Sequence, residues 1–385
     1  MAKIYFDNDA DLSVLSGKQI AIIGYGNQGR AQALNMRDSG ITDIVVGSTG
    51  TTDHPAAKDG FKVLTISEAS RKADIIFVLI PDEVMPDVYH KEIGPNLISG
   101  NVLNFASGYN ITFKLIQPPK HVDVIMLAPR MIGDGVRNLF LSGEGYPAFV
   151  AIEQDASGHA KSIAVALARA IGATKKGTIE VTFKDETMMD LLAEQAIWPM
   201  ITAILTESFR FEVEKGHPAE ASLVELYLSM EPAYMFEKMA KEGLFKQLPY
   251  HSHTSQYGQL SRFEKLDKRF IRSTLEKAYD YIESGQFARE WKDEQRNGLP
   301  EFKRLLHEAL NSEISKLEEK LIPVAESPNA QSSLILNERV ITDAMVRQAV
   351  LQKKRSIAVA ANAILTPSAQ DRAREFRIEV IRKPA

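Results

Sequence analysis

The stretch Lys18-Gln-Ile-Ala-Ile-Ile-Gly24-Tyr-Gly26-Asn-Gln-Gly29-Arg-Ala-Gln-Ala-Leu-Asn-Met-Arg37 decides the fold of the N-terminal half of this chain. It begins with an apolar run of the length of a buried parallel strand, and its second half has a helix-forming composition. Between them lie three glycines that permit a tight turn, a close backbone approach to a pyrophosphate, and close strand–helix packing. This order predicts dinucleotide binding by Gly24, Tyr25, Gly26, Asn27, Gln28 and Gly29.

Length and composition limit the class of protein. The chain has 385 residues, of which 44% are hydrophobic and 25% charged, enough for two or three domains with buried cores. A net charge of −4 gives no basic field for nucleic acid or a membrane surface. The chain contains no cysteine, which excludes disulfides and thiolate metal sites. Without an apolar run of about 18 residues or a signal peptide, we expect no membrane span and a cytoplasmic location.

Further strands are predicted along the N-terminal half, alternating with helical segments. They lie at residues 43–47, 73–80, 101–105, 123–127 and 147–152. This alternation indicates a doubly wound parallel sheet, in which ligands bind at the carboxyl ends of the strands. That rule places Pro81, Ser107 and Arg130 near a bound nicotinamide.

The loop after the second strand bears on the choice of dinucleotide. An acidic residue at this point usually binds the ribose 2′-hydroxyl of NAD, and none ends this strand. Four hydroxyl residues follow instead, namely Ser48, Thr49, Thr51 and Thr52. Hydroxyls can hydrogen-bond a 2′-phosphate that a carboxylate would repel, so the loop favours NADP. Arginine, the stronger indication, is absent from the loop.

From about Glu180 to about Leu321 apolar residues recur at helical spacing, which predicts an all-α second domain. Asp190 and Glu194 are four residues apart and project from one helix face, one turn after Glu186. Glu225 lies in a further helical stretch, residues 221–230. Carboxylates on facing helices can hold Mg²⁺, although a solvated helix face shows the same spacing.

Four segments follow from these patterns. Residues 1–181 form the nucleotide-binding domain and residues 182–321 the all-α domain. Residues 322–333 are small, polar and proline-containing, which is typical of a linker. Residues 334–385 form a small appended α+β unit. No internal repeat is evident.

Taken together, residues 1–321 resemble the ketol-acid reductoisomerase (acetohydroxyacid isomeroreductase) family. The matching segments are residues 24–29, 81–84, 110–111, 145–160, 182–187, 190, 194–196, 257–258 and 285–291. The resemblance implies a Rossmann domain and a knotted all-α domain, with homo-oligomeric assembly through the latter. Enzymes of this family use NADPH and two Mg²⁺ ions. They convert 2-acetolactate-type substrates by alkyl migration and ketone reduction, a step of branched-chain amino-acid biosynthesis.

The resemblance also implies site residues. Asp190, Glu194 and Glu225 match metal ligands, and Ser252 matches a substrate-binding serine. Catalytic roles are expected for Asp190 and Glu194, together with Ser107 and Arg130. The cofactor contacts extend to Ile80, Pro81, Asp82 and Gly133.

Several matched positions depart from the family pattern. Ser107 stands for a histidine, Arg130 for a lysine, and Ser229 for the fourth metal carboxylate. The nearest acid to Ser229, Glu231, is displaced by two residues, about 200° around a helix. Residues 197–200 replace small residues of the pocket. These changes favour one retained Mg²⁺ over two, with Arg130 holding an anionic substrate group and Glu194 as the proton donor if no metal binds.

Three functions are consistent with this pattern. Because hydride transfer needs fewer groups than alkyl migration, the preferred hypothesis is an NADPH-dependent reductase without the isomerase step. Its substrate would be a small 2-oxo or 2-hydroxy-oxo acid or an imine. The alternatives are a complete ketol-acid reductoisomerase, which converts 2-acetolactate to 2,3-dihydroxyisovalerate, and an inactive NADP-binding scaffold.

The appended unit lies outside ordinary reductoisomerases. It resembles short modules fused to enzymes of bacterial microcompartments, including ethanolamine-utilisation proteins. Thr366-Pro367 predicts a helix start, Asp343 a helix cap, and residues 376–381 alternate like a strand. The unit is expected to tether the enzyme to a shell or partner, within a microcompartment of the cytoplasm; a passive tail is the alternative.

Overall fold

The structure is a computed structural model that divides into two compact units. It describes residues 2–50, 54–325, 334–336, 339–351, 354, 356–361, 363–376 and 378–383. One unit comprises Met1–Pro199 and Arg269–Leu299, and the other Met200–Lys268 and Pro300–Ala385. Two helices therefore return to the first unit after the chain has entered the second. The predicted domain boundaries at residues 181 and 321 stay predictions.

A nine-stranded sheet organises the first unit. Its strands are β1 (Ile4–Tyr5), β2 (Ile20–Ile23), β3 (Ile44–Gly47), β4 (Lys62–Leu64), β5 (Ile75–Val78), β6 (Val102–Phe105), β7 (Asp123–Pro129), β8 (Ala148–Gln154) and β9 (Thr178–Glu180). They lie in the order β1-β9-β8-β7-β6-β5-β2-β3-β4. The strands from β4 to β7 have the doubly wound arrangement, whose strand order reverses between β2 and β5. The predicted Rossmann fold is confirmed.

Helices cover both faces of this sheet. They are α1 (Asn27–Asp38), α2 (Pro55–Lys58), α3 (Ile66–Lys72), α4 (Met85–Val88), α5 (Tyr109–Thr112), α6 (Gly133–Ser142) and α7 (Ala160–Ile171). Successive residues of β2 enter different cores, Ile20 and Ile22 on one face, Ala21 and Ile23 on the other. Because both faces are buried, the strand is a continuous apolar run.

The strand predicted at residues 147–152 runs in the opposite direction to its neighbour. β8 pairs antiparallel with β7, with Ala148 opposite Pro129. The N–H of Arg130 donates to the carbonyl of Pro147 at 2.9 Å, so β8 starts at the edge where β7 ends. Since α6 does not return the chain to the other edge, the expectation of a wholly parallel sheet is wrong at this position.

The second half of the chain is helical, as predicted. Its helices are α8 (Phe183–Leu192), α9 (Trp198–Glu214), α10 (Ala219–Leu223), α11 (Glu231–Glu242), α12 (His253–Lys265), α13 (Arg269–Glu283), α14 (Gln286–Arg296), α15 (Pro300–Leu310) and α16 (Glu313–Ala325). The first residues of the predicted linker, 322–325, lie in α16, which continues to Ala325, and the linker bounds stay predictions. Residues 326–333 lie outside the described residues. The predicted knot stays a prediction.

One helical stretch, Phe183–Glu214, is long and apolar enough to cross a membrane by length and composition alone. Core helices of soluble proteins pass the same test. Within this stretch Glu186 is fully buried in the protein. The expectation of no membrane span stays a prediction.

The C-terminal segment contains its own small core. Its elements are β10 (Leu334–Leu336), β11 (Val340–Ile341), α17 (Asp343–Leu351), β12 (Ser356–Ala360), β13 (Ile364–Leu365), α18 (Pro367–Glu375) and β14 (Glu379–Lys383). Thr366 caps α18, accepting a hydrogen bond from Ala369 N–H at 3.2 Å, as predicted. The predicted strand starts late, because Phe376 still ends α18. Asp343 is the first residue of α17 and not its cap.

This segment is a tandem repeat, which the sequence analysis missed. Strands β10, β12 and β14 form a parallel sheet in which Leu334 lies opposite Ile357, 23 residues further along. Strands β11 and β13 form a second parallel pair, with Val340 opposite Ile364, 24 residues further along. Each repeat is thus a strand, a second strand and a helix. The sequence signal is weak because only Thr342/Thr366 and Ala349/Ala373 are identical at matched positions of the second strand and helix.

Candidate active site

The loop between β2 and α1 forms a cradle of the kind that dinucleotides occupy. Gly24 has φ +94°, and a Cβ there would lie 2.6 Å from the Leu79 carbonyl oxygen. A Cβ on Gly29 would lie 2.0 Å from the Gly24 carbonyl oxygen. Gly26, which precedes the first residue of α1, has no heavy atom within 4 Å of its ideal Cβ position. The loop is therefore closely packed at Gly24 and Gly29, whereas it is open at Gly26, where a ligand would approach.

The other residues predicted around this loop hold it in place. Gln28 donates to the carbonyl of Met131 at 2.9 Å, and Tyr25 donates to Asp59 at 2.9 Å. A Cβ on Gly133 would lie 2.3 Å from the Asn27 carbonyl oxygen, so α6 starts against α1. Ile80 packs on Gly24. Their roles as direct cofactor contacts stay predictions.

The residues predicted to select NADP follow β3. Ser48 continues the strand pairing by donating its N–H to the carbonyl of Leu64 at 3.0 Å, and Thr49 comes next. Thr51 and Thr52 lie outside the described residues.

Arg130, at the end of β7, joins two carboxylates of helix α8. Its Nη2 donates to Glu186 Oε1 at 3.0 Å and its Nη1 to Asp190 Oδ1 at 2.9 Å. The guanidinium also lies over the ring of Phe149, 4.9 Å from the ring centroid. Both strong contacts of this side chain are thus with protein carboxylates, and the proposed anion contact of Arg130 stays a prediction.

Glu186 links this pair to the loop after β6. Its side chain is 1% exposed, and its Oε2 accepts from Gly108 N–H at 2.7 Å. Burial raises the pKa of Glu186 to about 7, against the opposing effects of Gly108 and Arg130. The neighbouring Ser107 accepts from the N–H of Tyr109, the first residue of the short helix α5, at 3.2 Å. Glu186 therefore connects Arg130, which also bonds Asp190 directly, to Gly108, the residue after Ser107.

Glu194 lies beyond Asp190 in a π-helical turn, Ala193–Ile197, that separates α8 from α9. Such turns add a residue to a helix and are frequent at functional sites. Burial and the charge of Asp190 raise the pKa of Glu194. The structure thus sets Glu194 beside Asp190, although not by the regular helix that the spacing suggested.

Asp82, after β5, faces the same acidic group. Its carboxylate accepts from Asn110 Nδ2 at 3.0 Å. Burial raises the pKa of Asp82 to about 6, with further contributions from Glu83, Asp190 and Glu194. We call Asp82, Glu186, Asp190 and Glu194 the carboxylate cluster. Arg130 is the cation bound to it.

Glu225 and Ser252 belong to the second unit, which is described by itself. Glu225 lies in another π-helical turn, Val224–Leu228. The helix ends there, because Met230 has φ +65° and Glu231 begins α11. Placing Glu225, Ser229 and Glu231 on one regular helix was therefore wrong. Ser252 caps α12, accepting from Ser255 N–H at 3.3 Å.

The donor set suits Mg²⁺ only in part. Among the described residues, no group of three or more His, Asp or Glu side chains is arranged to hold a metal ion. Asp190 nevertheless lies close enough to Glu194 for its charge, after burial, to contribute to the raised pKa of Glu194, and Mg²⁺ is commonly bound by one or two carboxylates with water and substrate oxygens. The first unit therefore fits Mg²⁺ as a two-carboxylate site.

Sequence reasoning missed two members of this site. The sequence pattern places Glu186 with Asp190 and Glu194 on one acidic helix face and assigns no role to Phe149. The sequence signal for burial of Glu186 is its position between the capped start of α8 and the apolar Met188. Phe149 had no local signal, because its position beneath Arg130 depends on the antiparallel direction of β8.

Comparison with known proteins matches both the N-terminal and the C-terminal part of the chain to one enzyme family. A model of the NADPH-binding domain of acetohydroxy acid isomeroreductase matches residues 14–177, and a model of the ketol-acid reductoisomerase C-terminal domain matches residues 183–326. The ketol-acid reductoisomerase (NADP(+)) of Pyrobaculum aerophilum is 42% identical over 324 residues, 83% of this chain and 98% of that protein. The enzyme of the same name from Methanopyrus kandleri is 42% identical over 325 residues, with the same two coverages.

A solved structure, that of an NADH-preferring ketol-acid reductoisomerase from an uncultured archaeon, superposes with a TM-score of 0.78. It is 35% identical and covers 84% of this chain and 99% of that one. The matched domains end at residue 326, so the tandem repeat lies beyond them.

Proposed function

The chain belongs to the ketol-acid reductoisomerase family, and from this we propose that it is a complete ketol-acid reductoisomerase acting on 2-acetolactate-type acids. It carries the family's NADPH-binding domain and is an NADP-dependent oxidoreductase. The names of its relatives support the complete reaction over the reductase without isomerase step that the sequence departures favoured. The observation that carries the proposal is the carboxylate cluster at the edge of the sheet where β5, β6 and β7 end.

The carboxylate cluster holds more negative charge than its protein partners neutralise. Arg130 contacts only Glu186 and Asp190 of the four carboxylates, and burial, together with the charges of neighbouring carboxylates, raises the pKa values of Asp82, Glu186 and Glu194. A divalent cation would relieve this excess. Asp190 and Glu194 would hold Mg²⁺, and the role of Glu225 as a metal ligand stays a prediction. When bound, the ion supplies a Lewis acid that polarises a substrate carbonyl and stabilises an alkoxide.

The chain's own residues bind and orient the reactants around this point. The open space over Gly26 and the N-terminus of α1 receive the pyrophosphate. Gln28 ties that helix to the segment after Arg130, which fixes the cluster relative to the cofactor. Asn110 orients Asp82, whose raised pKa lets it hold a proton near pH 6. Proximity of a fixed cofactor and substrate is what hydride transfer requires.

A second candidate function is reduction without alkyl migration. The pairing of Arg130 with Asp190 favours it, since one metal carboxylate is already neutralised. Ser107 and Ser229 also remove an imidazole and a carboxylate that family members have. A ketone can still be reduced with an aligned nicotinamide and one proton donor.

The distinguishing experiment follows NADPH oxidation with 2-acetolactate and, in parallel, with the already isomerised 3-hydroxy-2-ketoacid, each with and without Mg²⁺. We expect Mg²⁺-dependent turnover of both. Turnover of the isomerised acid alone would support the second candidate. If neither acid reacts although NADPH binds, the inactive scaffold becomes the better explanation.

We propose that Ser48 and Thr49 contribute to the preference for NADP, because they follow β3 where an acid would select NAD. The relatives named above carry NADP(+) in their names, whereas the solved structure is of an NADH-preferring enzyme. Dissociation constants for NADPH and NADH, measured by fluorescence titration, decide the matter. Tighter binding of NADH would overturn this assignment.

Homo-oligomeric assembly through the helical domain is also proposed. Large apolar side chains are exposed along its helices, among them Ile204, Phe211, Tyr234, Phe236 and Tyr257. Exposed apolar surface of this extent marks an interaction site. Light scattering should give at least a dimer, and Phe211→Asp with Phe236→Asp should shift it toward the monomer. A cytoplasmic location and a microcompartment partner stay predictions.

A further inference from the structure

Arg130 is fixed in place by groups on two elements. Its guanidinium rests on Phe149 of β8 and donates to Glu186 of α8. Arginine presents a planar fork of donors that can serve two acceptors while one face stacks on an aromatic ring. A lysine ammonium, which the family has at this position, is a point charge without such a fork. The arrangement is therefore specific to arginine.

Glu186 keeps Arg130 beside the carboxylate cluster, because separating the two side chains would be energetically unfavourable. It is buried and already accepts from Gly108 on its other oxygen. If Arg130 swung away, the carboxylate would lose its cation in a site that water does not reach. Removing one partner of a buried ion pair is strongly destabilising. Arg130 thus stays beside the cluster whether or not another cation is present.

Asp190 is the carboxylate that Arg130 shares with any bound metal. Its Oδ1 accepts from Arg130 at 2.9 Å, and its side chain is 41% exposed, so its other oxygen remains accessible to a cation from solvent. A guanidinium at hydrogen-bond distance repels a divalent cation on the same carboxylate, since like charges at this range interact strongly in a partly buried site. Metal and arginine therefore compete for Asp190.

We propose that Arg130 is a built-in counter-cation that competes with divalent metal for Asp190 and lowers the metal affinity of the Asp190–Glu194 pair. The inference rests on the proposed function, which takes this pair as the Mg²⁺ site. Arg130 is then a residue that sets metal affinity by its charge. Without this competing charge, Asp190 offers both oxygens to the metal.

The test is Mn²⁺ binding, followed by electron paramagnetic resonance, to the full chain with NADPH bound. Arg130→Gln removes the charge and should tighten Mn²⁺ binding by at least about tenfold. Arg130→Lys keeps the charge but loses the fork and should tighten binding by about threefold. Arg137→Gln is the matched control, because Arg137 also forms a buried ion pair, with Asp38 at 2.7 Å, and should leave Mn²⁺ affinity unchanged.

Circular dichroism and NADPH affinity show whether each variant is folded. If Arg130→Gln fails to fold, Arg130→Lys carries the test. Unchanged or weaker Mn²⁺ binding in the folded variant would overturn the inference, even if the wild type turns over 2-acetolactate with Mg²⁺. Tighter binding without any turnover of 2-acetolactate would support the inference and count against the proposed function alone.

Discussion

At the scale of single residues, the glycines between β2 and α1 differ in their surroundings and therefore in what a methyl group would do. Gly29→Ala would place Cβ against the Gly24 carbonyl, and we expect a loss of about 1–3 kcal/mol in the free energy of unfolding. Gly26→Ala would meet only open space, so stability should change by less than about 1 kcal/mol. NADPH affinity should nevertheless fall by roughly tenfold, because the methyl group occupies the approach of the pyrophosphate.

Thermal unfolding and NADPH titration of both variants check this pair. Equal NADPH affinity in Gly26→Ala and the wild type would show that the pyrophosphate does not approach at this point.

The raised pKa of Asp82 predicts how the free energy of unfolding changes with pH. Its pKa is about 6 in the folded protein, against about 3.9 for an aspartate in an unfolded chain. The native state therefore binds more protons than the unfolded state between these values, and stability falls as pH rises through this window. Between pH 4.5 and 7.5 the wild type should lose about 2 kcal/mol relative to Asp82→Asn.

Urea unfolding in EDTA at the two pH values measures this difference. Asp87→Asn, at an exposed aspartate of the nearby α4, serves as the control and should follow the wild type. Parallel pH profiles for wild type and Asp82→Asn would contradict the prediction.

The sequence predicts glycine positions well because their reasons are local, namely a turn and a strand–helix contact. Glu186 and Phe149 depend on burial and on the direction of β8, which no neighbouring residue specifies. The placement of Glu231 failed for a similar reason. Nothing around Met230 indicates a left-handed backbone, yet its positive φ ends the helix.

At the scale of elements, the start of α8 controls two members of the carboxylate cluster. Thr182 accepts from Asp185 N–H at 3.0 Å, and Asp185 accepts from Thr182 N–H at 3.0 Å, a reciprocal cap. Thr182→Ala should lower the free energy of unfolding by about 1 kcal/mol. Fraying of the start of α8 should also weaken Mn²⁺ binding, because Asp190 lies on the same helix.

Thr65→Ala is the matched control. Thr65 makes the same kind of cap with Glu68 on α3, which carries no member of the cluster. Denaturant unfolding should show a similar loss in both variants, with weaker Mn²⁺ binding only in Thr182→Ala. Equal Mn²⁺ affinity in Thr182→Ala and Thr65→Ala would show that the start of α8 does not influence the metal site.

Strands and helices with strong apolar patterns are predictable at this scale. The short β4 and β9 were missed because three residues give too little pattern. The π-helical turns at Glu194 and Glu225 were missed because their extra residue leaves the sequence periodicity almost unchanged. Both turns lie at predicted metal ligands.

At the scale of the whole molecule, the C-terminal repeat should be separable from catalysis. The Pyrobaculum and Methanopyrus relatives are matched over 98% of their own length by 83% of this chain. A chain ending at residue 325 should therefore keep NADPH affinity within about twofold of the full chain. Titration with NADPH and turnover assays measure this, and loss of cofactor binding would show that the repeat supports the enzyme.

Whole-molecule organisation is the least predictable from sequence. The helical periodicity indicated one continuous all-α domain, whereas Arg269–Leu299 returns to the unit that contains the Rossmann sheet. Such a return depends on contacts between residues distant in sequence. The family resemblance, which rests on motifs that occur in the same order along the chain, predicted more of the architecture than any local pattern.

Asp343 has a partner on each side of the repeat boundary. Arg347 of its own helix and Arg372 of the following helix both donate to it, at 2.7 and 2.6 Å. Stacked repeats of this kind behave as a one-dimensional array, in which each unit draws stability from its neighbour. The two repeats should therefore fold together, because the ion pair of Asp343 with Arg372 crosses the boundary between them.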